Sequence, residues 1–396
     1  MKRVWFALWV LPLVIALAVW LAVDRTLDRW EANEWPGGLG RLSDVPKHLV
    51  EHVTNSKAQR LIELAAPLGI NLTPGGAVTT VEVSPVPFFR VRDPLEKYLH
   101  EQLARPGVAV DAPPAVLAEY LQRHALDIDV VRDHLVGDGQ VIWPSSLYVN
   151  AESANVSAIS DLEQVLAARA LSRARAGNAS AWEDAHAAWL LCRTLWQSPL
   201  TAVRAFEVVR LVNAVAMKLP QPEPVWIADM DAMDYRTLFA GGIQAEVWAY
   251  RRSVPDLVKL RPVWQRPFVS PALSISFDEA AEKTRARIAE LHRSTACDTA
   301  AVPSQIELTR WNLFYKDLQM NWLTKVWAPL ARFSVELEAR EKFAALRRGE
   351  KPSPISHCSD GQWIVDDHSV RFSRTIPPDS GPFSGPNAPL TLTLTR

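Results

Sequence analysis

Residues 160–219 limit the fold more than any other stretch of the chain. Ser160/Glu163 and Ser180/Glu183 each set a serine three residues before a glutamate at the head of an apolar period, and Ser198-Pro199 marks a third start. In such a box the serine hydroxyl accepts from the N–H of the fourth residue, and the glutamate reaches back to the serine N–H. Proline suits the first helical position because its missing N–H has no partner there. The stretch therefore parses as helices 161–176, closed by Gly177, then 181–197 and 199–219. Connections this short force neighbouring helices to run antiparallel. The same signature at Ser276/Glu279 and Ser304/Glu307 opens helix 277–295 and a long last helix from Gln305 to about Arg348. The last helix carries Trp311, Phe314, Leu318, Trp322, Val326, Leu330, Phe333 and Leu337 at helical spacing, and Pro329 is expected to kink it.

Earlier elements are shorter. Ser43-Asp44 and Pro46 start a helix running to about Ala66, and Asp93-Pro94 starts another. Helices are expected after Pro113-Pro114 and over 128–135. Val78–Val83 reads as a short strand, Asp231 as the cap of a helix towards Arg251, and 255–275 as Pro-rich and irregular. After Lys351 the period changes to two. Gln362–Val365 and Val370–Thr375 alternate around Asp366-Asp367-His368, which reads as a hairpin. Pro389–Arg396 alternates leucine with threonine, so Leu390, Leu392 and Leu394 should face inward on a half-buried strand.

From Val4 to Val23 no residue is charged. At about 1.5 Å per residue such a helix covers the ~30 Å hydrocarbon core of a bilayer. A cleaved signal peptide is the competing reading, with Ala16-Leu17-Ala18 as its cleavage pattern. The apolar run continues past that point, which favours retention. The short basic start, Lys2-Arg3, favours an amino end in the cytoplasm and the large domain outside. No later stretch is long and apolar enough, so a single-pass protein is expected. Residues 24–42 then read as a stalk, with Trp30 and Trp35 at headgroup level and Pro36-Gly37-Gly38 as a helix break.

The fold class expected is mostly α: an irregular array of antiparallel paired helices, a small C-terminal antiparallel β sheet and one N-terminal transmembrane helix. The divisions are 1–23 as anchor, 24–42 as stalk, 43–348 as helical body with a possible subdivision near 220–225, and 349–396 as a β-containing tail. This order of elements, above all the anchor at 4–23, the Ala/Leu-rich paired helices at 160–219 and the β tail, resembles a group of bacterial membrane-anchored envelope proteins. The resemblance is one of layout, covers most of the chain and implies no activity.

A net charge of -1 gives no basic face for nucleic acid. No phosphate-binding glycine loop, dinucleotide fingerprint or Ser/His/Asp set stands out, so no cofactor is expected. His48, Glu51 and His52 spell H-x-x-E-H, which resembles the zinc motif of inverzincin peptidases. On one helix the two histidines would be a turn apart and would share a metal, with Glu51 as base. The third ligand would come from near residue 128, where the chain offers Asp127, Asp129 and Asp133. The alternative is a solvated polar helix face. Glu152-Ser153 resembles the Glu-Ser of glycan-cleaving transglycosylases, although the segment expected after it is missing. Asp229, Asp231 and Asp234 suit helix capping better than a calcium loop, which needs more oxygens and a glycine. Asn71, Asn155 and Asn178 open Asn-x-Ser/Thr triplets short enough to arise by chance.

Trp182, Trp189 and Trp196 recur every seven residues and lie along one stripe. Core packing is the leading reading of that stripe, and a groove for a glycan or protein partner is the other. Cys192 reads as a buried thiol. Cys297 and Cys358 would form a disulfide stapling the tail to the body if the domain lies outside the cytoplasm. The expected function is that of a membrane-anchored extracytoplasmic structural or partner-binding protein, attached through residues 4–23 and meeting an envelope protein or glycan. The alternative is an envelope hydrolase.

Overall fold

Helix geometry and non-local packing together decide where the elements begin. The computed structural model describes residues 14–15, 17–21, 31–48, 52–75, 86–145, 153–196, 199–293, 309, 321–358, 361–376 and 388–394. The chain is mostly helical, with a small antiparallel sheet near its C-terminus. The helices are α1 (Ser56–Ala65), α2 (Arg92–Leu103), α3 (Ala115–Arg123), α4 (Ala125–Val136), α5 (Val156–Arg175), α6 (Ala181–Leu195), α7 (Pro199–Ala216), α8 (Trp226–Asp231), α9 (Tyr235–Lys259), α10 (Arg266–Arg293) and α11 (Asn321–Arg347). Short hairpin strands β1 (Glu34–Trp35) and β2 (Gly40–Arg41) precede them. Strands β3 (Trp363–Val365), β4 (Ser369–Phe372) and β5 (Thr391–Thr393) form the tail sheet.

The trio α5, α6 and α7 packs mutually and forms the centre. Helix α2 lies on α5, α4 on α6 and α1 on α4. On the other side α9 and α11 pack on α7, α10 packs on α9, and the tail sheet packs on α11. One contiguous apolar core runs through all of this, from Trp35 to Leu392. Ala167, Ala168 and Ala170 of α5 and Ala187 and Ala188 of α6 are buried, and small side chains let packed helices approach closely.

Local chemistry moved the helix starts. Helix α5 begins four residues before Ser160, because the Asn155 side chain accepts from the Ala158 N–H at 3.2 Å. Ser180 does stand at the head of α6 but makes no cap. Its hydroxyl donates to Asn178 Oδ1 at 2.9 Å. Ser276 lies inside α10, and Glu279 accepts from Thr309 instead (2.8 Å from the N–H). Ser304 and Glu307 lie outside the described residues. The region 255–275, expected to be irregular, is largely helical, with Pro255 inside α9 and Pro271 inside α10. Packing of α9 against α10 buries Val247, Val254, Phe277, Ala280 and Ala281, and tertiary burial outweighs the local proline penalty.

The tail follows its period-two pattern. Trp363 pairs with Phe372 and Val370 with Leu392. Leu392 is buried, Leu390 and Leu394 are half-buried, and Thr391 is exposed. Asp366 closes the β3–β4 turn by accepting from the His368 N–H at 2.9 Å and the Ser369 hydroxyl at 2.7 Å. Gly361 is required at the opposite end of the hairpin, because a Cβ there would lie 2.2 Å from the Phe372 ring.

The apolar N-terminal segment lies mostly outside the described residues. Its described part, between 14 and 21, is helical and exposed. Among the described residues no helix is long and apolar enough to cross a membrane. The strand expected at Val78–Val83 also lies outside them.

Candidate functional site

The sequence-derived candidates disperse. His48 ends a four-residue helical turn that starts at Val45, and His52 sits in an extended bridge with Ser145. The two histidines are therefore not a turn apart on one helix, because backbone pairing with the Ser145 segment pulls residue 52 out of helical geometry (His52 N–H to Ser145 O, 3.3 Å). Glu51 lies outside the described residues, as does Glu152. Among the described residues no cluster of three or more His, Cys, Asp or Glu is placed to hold a metal. In the 229–234 cluster, Asp234 caps α9 by accepting from the Thr237 N–H at 3.0 Å, and Asp231 pairs with Arg340. The cap expected at Asp231 thus belongs to Asp234, three residues on.

The tryptophan stripe turns into packing. Trp189 is fully buried. Trp182 is half-buried, donates its indole N–H to Pro220 O at 2.7 Å and meets Trp226 edge-on. Trp196 is half-buried against Tyr235. Trp226 also stacks face-to-face on His186 with ring centres 5.0 Å apart. The stripe thereby ties the 220–226 segment and α9 to α6. Cys192 is a free, buried thiol, and Cys358 is disulfide-bonded. Cys297 lies outside the described residues.

Two buried charge centres, not legible as motifs, fix how the helices register. On α11, Glu336 is fully buried and accepts from Arg210 of α7 (3.1 Å) and from Arg332 one turn earlier (2.8 Å). Arg332 also donates to Ile376 O at 2.7 Å and Ala388 O at 2.8 Å, so one guanidinium joins helix and tail. One turn further, Arg340 reaches Asn213 (3.1 Å), Glu223 (2.8 Å) and Asp231. Glu338, on the opposite flank of α11, accepts from the Trp363 indole at 2.7 Å. In the second centre, Asp129 of α4 accepts from Arg169 (2.8 Å) and Arg173 (2.9 Å) of α5, and Arg173 also reaches Asp184 of α6 at 2.9 Å. Burial pushes Asp184 up to about 6 against the pull of Arg173 and Arg169. Unmatched buried charge is costly, so the first centre ties α7 to α11 and the second ties α4 and α6 to α5. A polar depression between α1 and the end of α4 is lined by Ser56, Asp133, His134 and Lys57. The Lys57 ammonium donates to the carbonyls of Gly137 (2.7 Å) and Gly139 (2.7 Å) and closes the C-terminus of α4.

The remaining candidate is the seat of the N-terminal segment. Residues 31–42, the described part of the 24–42 stretch expected to be a stalk with Trp35 at headgroup level, are docked on the body together with 43–45. Trp35 is buried at 3% exposure, because the β1–β2 hairpin lies along α9 and α10. Glu31 pairs with Arg251, Arg285 donates to Glu34 O at 3.3 Å, and Gln244 approaches Gly40 O at 3.5 Å. At the hairpin tip, Gly37 has φ +77°, and a Cβ there would lie 2.2 Å from His292 Nε2, so both conformation and space demand glycine. Trp30 lies outside the described residues.

No family model matches the chain, and no curated protein or solved structure matches it. The chemistry of the seat therefore rests on its own residues. Asp278 of α10 faces Arg251 and Glu31, and one of its oxygens, Oδ1, is buried without a hydrogen-bond partner. Burial lifts its carboxyl to about 7, with Arg251 opposing and Glu31 reinforcing the shift. An aspartate whose folded pKa is raised contributes stability that is present below about pH 4 and lost as the pH climbs through about 7. Asp278→Asn should therefore flatten the fall in stability between pH 5 and pH 8 by about 1 kcal/mol, a figure discounted for the partial exposure of the site. Urea midpoints of both proteins at the two pH values measure this, and parallel pH slopes would refute it.

Proposed function

We propose that the chain is a membrane-anchored extracytoplasmic protein acting as a structural or partner-binding module, attached through residues 4–23. The observation that carries this reading is the disulfide at Cys358. Disulfides persist in oxidising compartments and are rare in the reducing cytosol. With Cys192 free and three cysteines in the chain, we propose Cys297 as its partner, which would staple the tail to the segment after α10. The uncharged stretch Val4–Val23 and the seating of residues 31–45 on α9 and α10 fit an anchor held close to the body rather than on a free stalk. The helices present buried charge centres and aromatic ties, the features of a body whose shape is fixed. A shape of that kind suits holding a partner, such as another envelope protein.

Thiol counting in cells tests the compartment. Cells producing the chain are quenched with acid, denatured and treated with a maleimide-coupled polymer. One adduct, at Cys192, is expected without reduction, and three after reduction. Three adducts without reduction would defeat the extracytoplasmic reading. Retention in the membrane pellet after alkaline carbonate extraction is expected for the anchor, and full release would show a cleaved leader.

A further inference from the structure

The turn joining α9 to α10 differs from the rest of the exposed surface. Leu260, Val263 and Trp264 are 80%, 73% and 73% exposed. Other strongly exposed apolar residues, such as Val53, Phe89, Leu126 and Val225, stand singly, as is usual on a protein surface. Here they fall within five residues and alternate with cations: Lys259, Arg261 and Arg266. Asp256 is the nearby acid, paired with Lys259 at 2.8 Å. The turn is ordered by its own chemistry. Arg266 donates to Lys259 O and Arg261 O, both at 3.0 Å, closing the end of α9 and holding the apolar side chains outward.

The direction of the N-terminal chain gives this turn its meaning. Along α10, Gly37 meets His292 and Glu34 meets Arg285, so the strand runs back towards the α9–α10 turn. On α9, Leu39 lies by Gly241 and Glu31 pairs with Arg251, which points the same way. Glu31 therefore stands roughly 12 Å short of the turn along α9. The stretch between Val23 and Glu31 reaches at most about 28 Å. Residues 37 to 31 thus run towards the end of the body that carries Leu260, Val263 and Trp264, and that end lies within the reach of the linker from Glu31 to Val23.

We propose that the α9–α10 turn is a second membrane contact, in which Leu260, Val263 and Trp264 enter the interface of an anionic phospholipid bilayer. Trp is favoured at that level because its ring is apolar and its N–H is polar, and flanking cations are drawn to anionic headgroups. The inference rests on the reading of residues 4–23 as membrane-embedded. That segment holds the turn at high local concentration near the surface, so a small apolar tip suffices where it would not bind alone. Two points of attachment would fix the tilt of the helical body over the membrane.

The test uses the full chain in vesicles of phosphatidylcholine with and without phosphatidylglycerol. Val263→Cys carries a polarity-sensitive fluorophore, and Leu126→Cys carries the same label as a remote exposed control. Flotation reports attachment, and quenching by lipids bearing nitroxide on the acyl chain reports insertion. We expect flotation, at least twofold stronger lipid quenching at 263 than at 126, and a further increase with phosphatidylglycerol that Lys259→Glu/Arg261→Glu removes. A floating protein whose label at 263 behaves like that at 126 would overturn the contact and leave the anchor standing. Failure to float would overturn the anchor and the contact together. All substituted positions are exposed, and an unchanged far-ultraviolet circular dichroism spectrum confirms the fold of each variant.

Discussion

Glu336→Ala should cost about 3–5 kcal/mol, the usual loss when one member of a buried ion pair is removed. Glu336 and Arg210 are both fully buried, and Arg332 is 8% exposed at its side chain. Without the carboxylate two guanidinium groups face each other inside the core. Against a total stability of about 5–15 kcal/mol, that is about a fifth or more of what holds the chain folded. The effect should not be confined to α11. Arg332 also donates to Ile376 O and Ala388 O, so the tail strand that follows Ala388 should loosen with it. A urea midpoint reports the global loss, and faster amide exchange at Thr391–Thr393 reports the local one. Glu336→Gln keeps the shape and an acceptor, so it should lose less. A loss below about 1 kcal/mol for the alanine variant would mean that water reaches the site and that the triad does not organise the α7–α11 contact.

Trp189→Ala is the second large effect. The indole is 1% exposed at the centre of α6, between α5 and α7. Removing a fully buried tryptophan takes away its burial energy and leaves a cavity, about 3–5 kcal/mol in all. Trp182 and Trp196, half-buried on the same stripe, should cost less. Trp264→Ser, at the exposed turn, should change stability by no more than about 0.5 kcal/mol. Chemical denaturation of this set separates tryptophans that hold the core from one free for the surface. Equal costs at 189 and 264 would contradict that division.

How much of this was legible in the sequence varies with the range of the interaction involved. Helices α6 and α7 fall where local signals placed them, and the tail strands follow a period of two that is itself local. The start of α5 was missed by several residues because Asn155, which also donates to Asn71 O, caps the helix ahead of Ser160. The helices through Pro255 and Pro271 were missed because their proline penalty is local and their compensation is not. Burial of Val247, Val254 and Phe277 becomes visible only when α9 meets α10. The His48/His52 pair failed for the same reason. The bridge from His52 to Ser145 spans most of a hundred positions, and no pattern around residue 50 announces it.

The candidate sites divide likewise. The seven-residue spacing of Trp182, Trp189 and Trp196 placed them on one face, but it could not say whether that face met solvent. The buried triad of Arg210, Arg332 and Glu336 gave no signal at all, since charged residues at helical spacing are usually solvated. The stretch 24–42 was read as a stalk because Pro36-Gly37-Gly38 breaks a helix equally well in a linker and in a tight hairpin.

The sequence by itself determined the mostly helical character, the alternating tail and the uncharged segment at residues 4–23, since each rests on periodicity or composition within one stretch. Only the tertiary structure decided that Trp35 is core, that Asp231 serves Arg340, and that Leu260, Val263 and Trp264 stand exposed at the end towards which residues 37 to 31 run. Burial and pairing are properties of two surfaces together, and the partner surface lies elsewhere in the chain.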